Sequence, residues 1–271
     1  MTIILAHGLF GFGDLLPAPF AGYQPVHYFN QVAEHFHNHW NLEVYEPGVN
    51  PVGSVEDRAR QLAKQIEDRH LADPLHIIAY SMGGLDARFL ITHLRDVGQR
   101  VATLVTIGTP HAGSPVADAI VNPTDPLRAY IPSSFLKLLD EKAGALRDLT
   151  LDACEKFNAN TPDAEDVTYL EIAGDAAQGS SELLLFDFAA RIGQLKGPND
   201  GVVTVNSALR PNHRHLDIWP VDHAGEIGWS LALLNPFTRN RAIAEHLERY
   251  DSIIDKIQEN EIKKQKAAAG G

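Results

Sequence analysis

The fold is decided by Leu75-His76-Ile77-Ile78-Ala79-Tyr80-Ser81-Met82-Gly83-Gly84, which runs on into Leu85-Asp86-Ala87-Arg88-Phe89-Leu90. Its apolar first half predicts a short buried strand, and the residues after Ser81 predict a helix. A serine at the apex of such a unit is the layout of a nucleophile elbow, in which a sharp turn lifts the hydroxyl clear of a sheet. The turn needs small residues two positions before and after the serine, here Ala79 and Gly83. Glycine is usual at both positions, so Ala79 is a departure that still meets the steric demand.

Length and composition suit one large α/β domain as well as two small ones, and because the chain shows no internal repeat and no domain-sized linker we expect one domain over residues 1–271. Of its 271 residues, 44% are hydrophobic and 21% are charged, which is ordinary for such a domain. Lys+Arg 23 against Asp+Glu 35 gives a net charge of −12, which argues against a nucleic-acid partner because phosphates need a basic surface. The single cysteine, Cys154, excludes an intramolecular disulfide and a cysteine-rich metal site. No apolar run approaches the ~18–20 residues that a transmembrane helix needs.

The first residues, Met1–Gly8, contain neither a basic segment nor a small-residue cleavage site. A secretory signal peptide carries both features. We therefore expect a cytoplasmic protein, or a secreted one whose leader has been removed.

Short apolar runs alternate with amphipathic helical patterns along the chain. This alternation predicts an α/β fold with a mostly parallel sheet of about six strands and helices on both faces. Residues 116–162 show helical pieces and no strand, which predicts a helical insertion over the sheet. The predicted strands are Thr2–Ala6, Leu42–Tyr45, Leu75–Ala79, Val101–Ile107, Val167–Ala173 and His215–Pro220, and the predicted helices include Tyr28–His37, Ser54 to about His70, Ser81 to about Leu94, and Asn235–Asp255.

A serine hydroxyl attacks only if a base removes its proton and a third group fixes the tautomer of that base. Among the 13 histidines, His223 follows the last predicted strand and precedes small residues, so it is the candidate base. The candidate acid is Asp200, in an Asn-Asp-Gly turn, because the chain order serine, acid, histidine is the one expected on this kind of fold. Asp175, directly after the fifth predicted strand, stays open as an alternative acid.

The oxyanion formed in acyl transfer needs N–H donors. One should be the backbone N–H of Met82, directly after the serine, and the other that of Leu9, in the glycine-rich loop after the first strand. His7 and His111 belong to the same predicted edge of the sheet, but they precede the acid in the chain. We expect these two histidines to shape the oxyanion loop and the pocket floor.

These motifs together resemble those of the bacterial triacylglycerol lipases of the α/β-hydrolase superfamily. The matching segments follow one another in the family's order and span most of the chain: they are His7–Phe12, Ala79–Gly84, Gly108–Ser114, Asn199–Val203 and Asp222-His223.

The resemblance implies an α/β-hydrolase fold with a helical lid at residues 116–162, and with residues 180–195 as a second candidate part of that lid. It implies the following site residues: Ser81 as nucleophile, Asp200 as acid, His223 as base, and Leu9 and Met82 as oxyanion donors. We also expect Phe10, Tyr80 and His111 to contact the substrate. Many of these lipases bind calcium through an aspartate two residues after the catalytic histidine, where this chain has Gly225. No metal site and no cofactor is therefore predicted.

The resulting prediction is a serine carboxylic-ester hydrolase that cleaves acyl-glycerol or related lipid esters through an acyl-enzyme. Its partner would be a lipid or ester substrate, met at an oil–water interface if the protein is a true lipase. A short-chain carboxylesterase and a polyester hydrolase stay open within the same chemistry. Less favoured alternatives are an acyltransferase and a non-catalytic lipid-binding homologue.

Overall fold

The computed structural model describes residues 1–9, 28–131, 136, 143–181, 183 and 185–269. Six strands of this part of the chain form one sheet in the order β2-β1-β3-β4-β5-β6. All five neighbouring pairs are parallel, which confirms the predicted mostly parallel sheet. The strands are β1 (Thr2–Ala6), β2 (Glu43–Tyr45), β3 (Leu75–Tyr80), β4 (Val101–Ile107), β5 (Thr168–Gly174) and β6 (His215–Trp219).

Helices cover both faces of the sheet. Side chains alternate between the two faces along each strand, so an apolar strand presents apolar side chains to the helices on either face. On one face, Ile4 and Ile77 pack with Leu62 and Ile66 of a helix that follows β2. On the other face, Ile3 and Ile78 belong to a second apolar cluster with residues of the first and last helices. The helices are α1 (Val32–Trp40), α2 (Val55–Arg69), α3 (Met82–His93), α4 (Arg95–Gly98), α5 (Pro115–Val121), α6 (Ala143–Leu146), α7 (Leu151–Asn160), α8 (Phe186–Lys196), α9 (Val205–Ala208) and α10 (Arg239–Ala269).

Two predicted helices have different bounds in the structure. Helix α1 begins at Val32 instead of Tyr28, because Gln31 has a left-handed backbone conformation with φ of 60°. Helix α10 begins later than predicted, at Arg239, and continues well past Asp255 to Ala269. Ile257, beyond the predicted end, is fully buried in the main core, so tertiary packing supports the additional turns.

The chain changes direction across the sheet between β1 and β3, since β2 lies on one side of β1 and β3 on the other. Loops at such a switch point leave a crevice at the carboxyl ends of the strands, where ligands bind in open α/β sheets. The loop after β1 and the turn after β3 meet there. Among the described residues, no helix has the length and apolar composition to cross a membrane.

Candidate active site

Ser81 occupies a strained turn between β3 and α3. Its backbone has φ of 54° and ψ of −130°, a conformation that non-glycine residues seldom adopt and that often marks functional sites. Neighbouring chain holds it in place: the Ser81 N–H donates to the Ile107 carbonyl at 2.8 Å, and Thr109 Oγ1 donates to the Ser81 carbonyl at 2.8 Å. The local geometry is that of the elbow predicted from the sequence.

Glycines allow the loop after β1 to approach this turn. A Cβ atom at Gly83 would lie 2.7 Å from the carbonyl oxygens of both Ala6 and His7. A Cβ atom at Gly8 would lie 2.8 Å from the Cβ atom of Ser81. Because real Cβ atoms do not come this close to other atoms, both positions require glycine. Ala79, the departure from the usual pattern, is fully buried within β3.

His223 and Asp200 meet Ser81 from two other loops. The Oγ atom of Ser81 lies 3.0 Å from Nε2 of His223, and the opposite ring nitrogen, Nδ1, lies 2.7 Å from Oδ2 of Asp200. The backbone N–H of His223 also donates to the Asp200 carbonyl at 2.8 Å. The structure thus brings together the serine, acid and histidine that the sequence singled out.

The Asp200 carboxylate is oriented by its own turn. Its Oδ1 atom accepts from the backbone N–H groups of Val202 and Val203, each at 2.7 Å. Asp175, the alternative acid, is used differently: its carboxylate caps a short 3₁₀ turn by accepting from the Ala177 N–H at 3.2 Å and from Gln178 Nε2 at 2.7 Å. The geometry favours Asp200 over Asp175.

Leu9 and Met82, the two predicted oxyanion donors, are adjacent in sequence to residues that meet at the elbow: Leu9 to Gly8, and Met82 to Ser81. Met82 is the first residue of α3, so its N–H has no intrahelical acceptor and faces outwards from the helix end. Leu9 follows Gly8, at which an added Cβ atom would lie 2.8 Å from the Cβ atom of Ser81. The side chains of Leu9 and Met82 share one apolar cluster with Val116 and Ile120 of the insertion, and with Phe188 of α8.

A buried arginine holds the loop after β1 in position. Arg58 of α2 donates through Nη2 to the His7 carbonyl at 2.7 Å, and through Nη1 to the Asn50 carbonyl at 2.8 Å. Its Nε atom donates to the Asp86 carboxylate of α3 at 2.8 Å, and the pair is almost fully buried. Arg58 therefore ties the loop that carries Leu9 to the helix that follows Ser81. The sequence analysis did not single out this residue.

The three predicted substrate-binding residues have different outcomes. Phe10 lies outside the described residues. The Tyr80 ring packs against the His223 ring, with centroids 4.7 Å apart, and its hydroxyl donates to the His223 carbonyl at 2.7 Å. Because its hydroxyl is used and its side chain is buried in the core, Tyr80 supports the histidine and does not face a substrate.

His111 also departs from the prediction. It is fully buried, and its Nε2 atom lies 3.1 Å from Oγ1 of Thr106, back along β4 and away from Ser81. Burial first, and then the charges of Arg210 and Arg88, hold the pKa of His111 well below its usual value. The imidazole lines a polar cavity of about 460 Å³ that also contacts both arginines. It therefore belongs to a structural polar cluster.

Glu226 is the site residue that the sequence analysis missed. Its Oε2 atom lies 3.1 Å from Nδ1 of His223, the nitrogen that also contacts Asp200. Glu226 is fully buried, and neither of its carboxylate oxygens forms another hydrogen bond within the described residues. The Glu226 carboxylate fits here because Gly108 and Gly174 have no side chains. A Cβ atom at either position would collide with this carboxylate.

The two carboxylates control the protonation of the imidazole. Burial by itself lowers the pKa of His223, but the charge and hydrogen bond of Asp200, with a further contribution from Glu226, raise it above its usual value. Burial raises the pKa of the Glu226 carboxyl, and the negative charge of Asp200 adds to that effect. The imidazole therefore holds its second proton more firmly than an isolated histidine does.

Gly225, where the sequence has no calcium-binding aspartate, has little room for a side chain. A Cβ atom there would lie 2.9 Å from the Cβ atom of Val221. The neighbouring Asp222 carboxylate accepts instead from the backbone N–H groups of Leu185 and Gly225, at 2.5 and 2.7 Å. Within the described residues, Asp200, His223 and Glu226 are the one group whose ligand atoms lie within 4.8 Å of one another, and their contacts are those of an imidazole held between two carboxylates.

Comparisons with known proteins identify relatives of this chain. Residues 52–174 match the family described as a PGAP1-like alpha/beta domain. The chain is 31% identical over 195 residues to Triacylglycerol lipase 2 of Saccharomyces cerevisiae, an alignment that covers 69% of this chain and 58% of the yeast protein. It is 32% identical over 139 residues to a triacylglycerol lipase of Pseudarthrobacter phenanthrenivorans, with 46% of this chain and 42% of the relative covered. The chain thus spans about half the length of these curated relatives.

The fold is also found in solved lipase structures. The structure of Staphylococcus hyicus lipase superimposes with a TM-score of 0.68 at 19% identity, and the match covers 97% of each chain. Together with the parallel six-stranded sheet, this likeness confirms the α/β-hydrolase fold predicted from the sequence.

Proposed function

We propose that this chain, which belongs to a lipase family of the α/β-hydrolase superfamily, hydrolyses carboxylic esters through Ser81, His223 and Asp200. The observation that carries the proposal is the continuous hydrogen-bonded path from Ser81 Oγ to His223 Nε2, at 3.0 Å, and from His223 Nδ1 to Asp200 Oδ2, at 2.7 Å. A nucleophile, a base and an orienting acid in this geometry are the parts required for acyl transfer.

In the first half of the reaction, Ser81 Oγ attacks the ester carbonyl carbon while His223 Nε2 takes the hydroxyl proton. The negative charge that develops on the carbonyl oxygen is bound by the backbone N–H groups of Leu9 and Met82. When the tetrahedral intermediate collapses, the bond to the leaving oxygen breaks, and His223 returns its proton to the departing alcohol. The products of this half are the free alcohol and an acyl ester on Ser81.

In the second half, His223 takes a proton from water as the water oxygen attacks the acyl carbon. The same N–H groups bind the oxyanion again. Collapse releases the carboxylic acid, and the proton returns from His223 to Ser81 Oγ. Asp200 keeps Nδ1 of the imidazole protonated and stabilises the imidazolium that forms in both halves.

Lipid esters, including acyl-glycerols, are the proposed substrates. Both curated relatives are named triacylglycerol lipases. Further support comes from Val116, Ile120 and Leu146 of the helical insertion, which share one buried apolar cluster with Leu9 and Met82 and so place apolar side chains next to the proposed oxyanion donors, as binding of an acyl chain requires. The insertion at residues 116–162, with α8 as a second part, is the proposed lid over the candidate site.

The catalytic proposal is tested by Ser81→Ala, assayed with p-nitrophenyl butyrate. We expect kcat to fall by at least about 10³-fold, as expected for loss of a catalytic nucleophile, without a change in thermal unfolding. Ser252→Ala is the matched control, because Ser252 lies on the exposed side of α10 and donates only to the Arg249 carbonyl of the same helix. A Ser81→Ala variant that hydrolysed the ester at the parent rate would refute the assignment.

The substrate proposal is tested with p-nitrophenyl esters from acetate to palmitate and with emulsified trioleoylglycerol. A lipase should hydrolyse the emulsion and the long-chain esters, and its rate should rise when the substrate passes its solubility limit. Hydrolysis restricted to acetate and butyrate, with simple saturation, would instead identify a short-chain carboxylesterase. Inclusion of an alcohol acceptor in the same assay separates hydrolysis from acyl transfer by its products.

A further inference from the structure

The turn that leads into α10 exposes three large apolar side chains. Leu231, Leu234 and Phe237 are 37%, 44% and 96% exposed, whereas Ala232 between them is buried. The turn is ordered by hydrogen bonds, because Thr238 Oγ1 donates to the Ala232 carbonyl at 2.9 Å and the Phe237 N–H donates to Asn235 Oδ1 at 3.0 Å. We call residues Leu231–Phe237 the apolar turn.

The apolar turn lies at the edge of the sheet that carries Ser81. The contacts of α10 show how this helix runs relative to the sheet. Lys264, near the end of the helix, donates to the carbonyls of Ala102 and Asp166 at the starts of β4 and β5. Tyr250, nearer the beginning of the helix, donates to the Glu226 carbonyl beside the candidate site. Because a helix rises 1.5 Å per residue, the beginning of α10 projects roughly 16 Å further along the helix axis than Tyr250. The apolar turn, which leads into this end of α10, therefore lies towards the edge of the sheet where the candidate site is, and away from the edge that Lys264 contacts.

Trp229, just before the apolar turn, is linked to the candidate site through Tyr28. Trp229 Nε1 donates to the Tyr28 carbonyl at 3.3 Å. The Tyr28 ring in turn packs against the rings of His7 and Tyr80, with centroids 5.2 and 5.9 Å apart. The apolar turn is thus joined to the loop that carries Leu9 and to the strand that carries Ser81.

The charge around the apolar turn differs from that of the whole chain. The protein has a net charge of −12, yet residues 227–244 contain no acidic residue and two arginines, Arg239 and Arg241. Arg241 also pairs with Glu245 at 2.7 Å, but both side chains are at least half exposed, so water weakens this pair. This segment is therefore less negative than the chain as a whole, and it repels a negatively charged layer less than the rest of the protein does.

We propose that the apolar turn is the surface through which this protein adsorbs to a lipid–water interface bearing fatty-acid carboxylates. The inference rests on the proposed function, because ester hydrolysis at a lipid surface releases these carboxylates there. The three exposed side chains present on the order of 350 Å², which is well below the ~800 Å² per partner of a stable protein–protein interface. Such an area is enough to insert into the boundary between headgroups and acyl chains.

The test is co-sedimentation with phosphatidylcholine vesicles that contain oleate, together with assays on p-nitrophenyl acetate in solution and on emulsified trioleoylglycerol. The parent should sediment with these vesicles. For Phe237→Ser we expect about tenfold weaker vesicle binding, a similar loss of rate on the emulsion, and an unchanged rate on the soluble ester. Arg239→Gln and Arg241→Gln should each weaken binding to the oleate vesicles by roughly fivefold and leave binding to pure phosphatidylcholine unchanged.

Ile262→Ser is the matched control, because Ile262 is 50% exposed on the same helix but near the opposite edge of the sheet. It should bind vesicles as the parent does. If Phe237→Ser bound vesicles and hydrolysed the emulsion as the parent does, the proposal would be overturned. It would also be overturned if the parent were a dimer and Phe237→Ser a monomer with unchanged vesicle binding. A parent that failed to hydrolyse the soluble ester would instead contradict the proposed function, and sedimentation would still decide whether the apolar turn binds lipid.

Discussion

Glu226 lies 3.1 Å from Nδ1 of His223 and shares that nitrogen with Asp200, whose carboxylate is 2.7 Å away. One imidazole is therefore in contact with two buried carboxylates. Two backbone N–H groups also donate to the Asp200 carboxylate and orient it. Within the described residues, the Glu226 carboxylate has no hydrogen-bond donor other than His223. Both carboxylates therefore contact the imidazole, but Asp200 is closer to it and is held in place by more hydrogen bonds than Glu226.

Replacement of Asp200 by asparagine should reduce kcat by clearly less than the roughly 10⁴-fold loss expected when a triad loses its acid. The reason is that Glu226 would still contact Nδ1 and favour the reactive tautomer of His223. The double variant Asp200→Asn, Glu226→Gln should approach the full loss. Steady-state kinetics on p-nitrophenyl butyrate measure the difference, and equal rates for the single and double variants would show that Glu226 cannot replace the acid.

Glu226→Gln should move the acidic limb of the pH–kcat/KM profile to lower pH by roughly one unit. The neutral imidazole is the active base, and a neighbouring negative charge raises the pKa of His223. Removal of that charge lowers the pKa of His223, so a larger fraction of the enzyme is active at lower pH. Glu245→Gln on the exposed face of α10 is the control. An acidic limb that stayed in place in Glu226→Gln would refute this electrostatic role.

Gly83→Ala should destabilise the protein by roughly 1–3 kcal/mol or more and abolish most activity. Its Cβ atom would lie 2.7 Å from two backbone carbonyl oxygens, so α3 and the loop after β1 would have to separate. Gly48→Ala is the matched control because no atom lies within 4 Å of its Cβ position. Urea unfolding of both variants measures the effect. Similar unfolding free energies for the two would mean that the close approach at Gly83 is not required.

Arg58→Met should cost about 3–5 kcal/mol of unfolding free energy, because it leaves the Asp86 carboxylate buried without its partner. The double variant Arg58→Met, Asp86→Leu should recover much of that stability. Its kcat should stay low with little change in KM, because the bond from Arg58 to the His7 carbonyl is still missing. A double variant with parental stability and parental kcat would show that Arg58 acts only in folding and does not position the loop that carries Leu9.

The sheet and the elbow could be predicted because their physical requirements are local. Parallel strands that are buried on both faces need continuous apolar runs, as in β1 and β3, and the sharp turn at Ser81 needs small neighbours. The start of α2 at Ser54 is local as well, because the Ser54 side chain accepts from the Asp57 N–H three residues on. Each of these features is decided within a few residues of chain.

Glu226 could not be predicted because its burial depends on distant residues. A glutamate in a glycine-containing loop is typical of exposed chain, and only the absence of side chains at Gly108 and Gly174, at the ends of two other strands, makes room for it. His111 was assigned to the correct edge of the sheet, but its ring points back towards Thr106 and Arg88. The alternation of side chains along β3 could have corrected the assignment of Tyr80, because it places Tyr80 on the same buried face as Ile78.

Covalent trapping shows whether Ser81 is the residue that forms the acyl-enzyme. Incubation with a p-nitrophenyl alkylphosphonate should release one nitrophenolate per enzyme molecule, abolish ester hydrolysis, and add the phosphonyl mass to the peptide that contains Ser81. The Asp200→Asn, Glu226→Gln variant should react much more slowly, and Ser81→Ala should not react. Full inactivation with the label on another residue, or with no label on Ser81, would contradict the account.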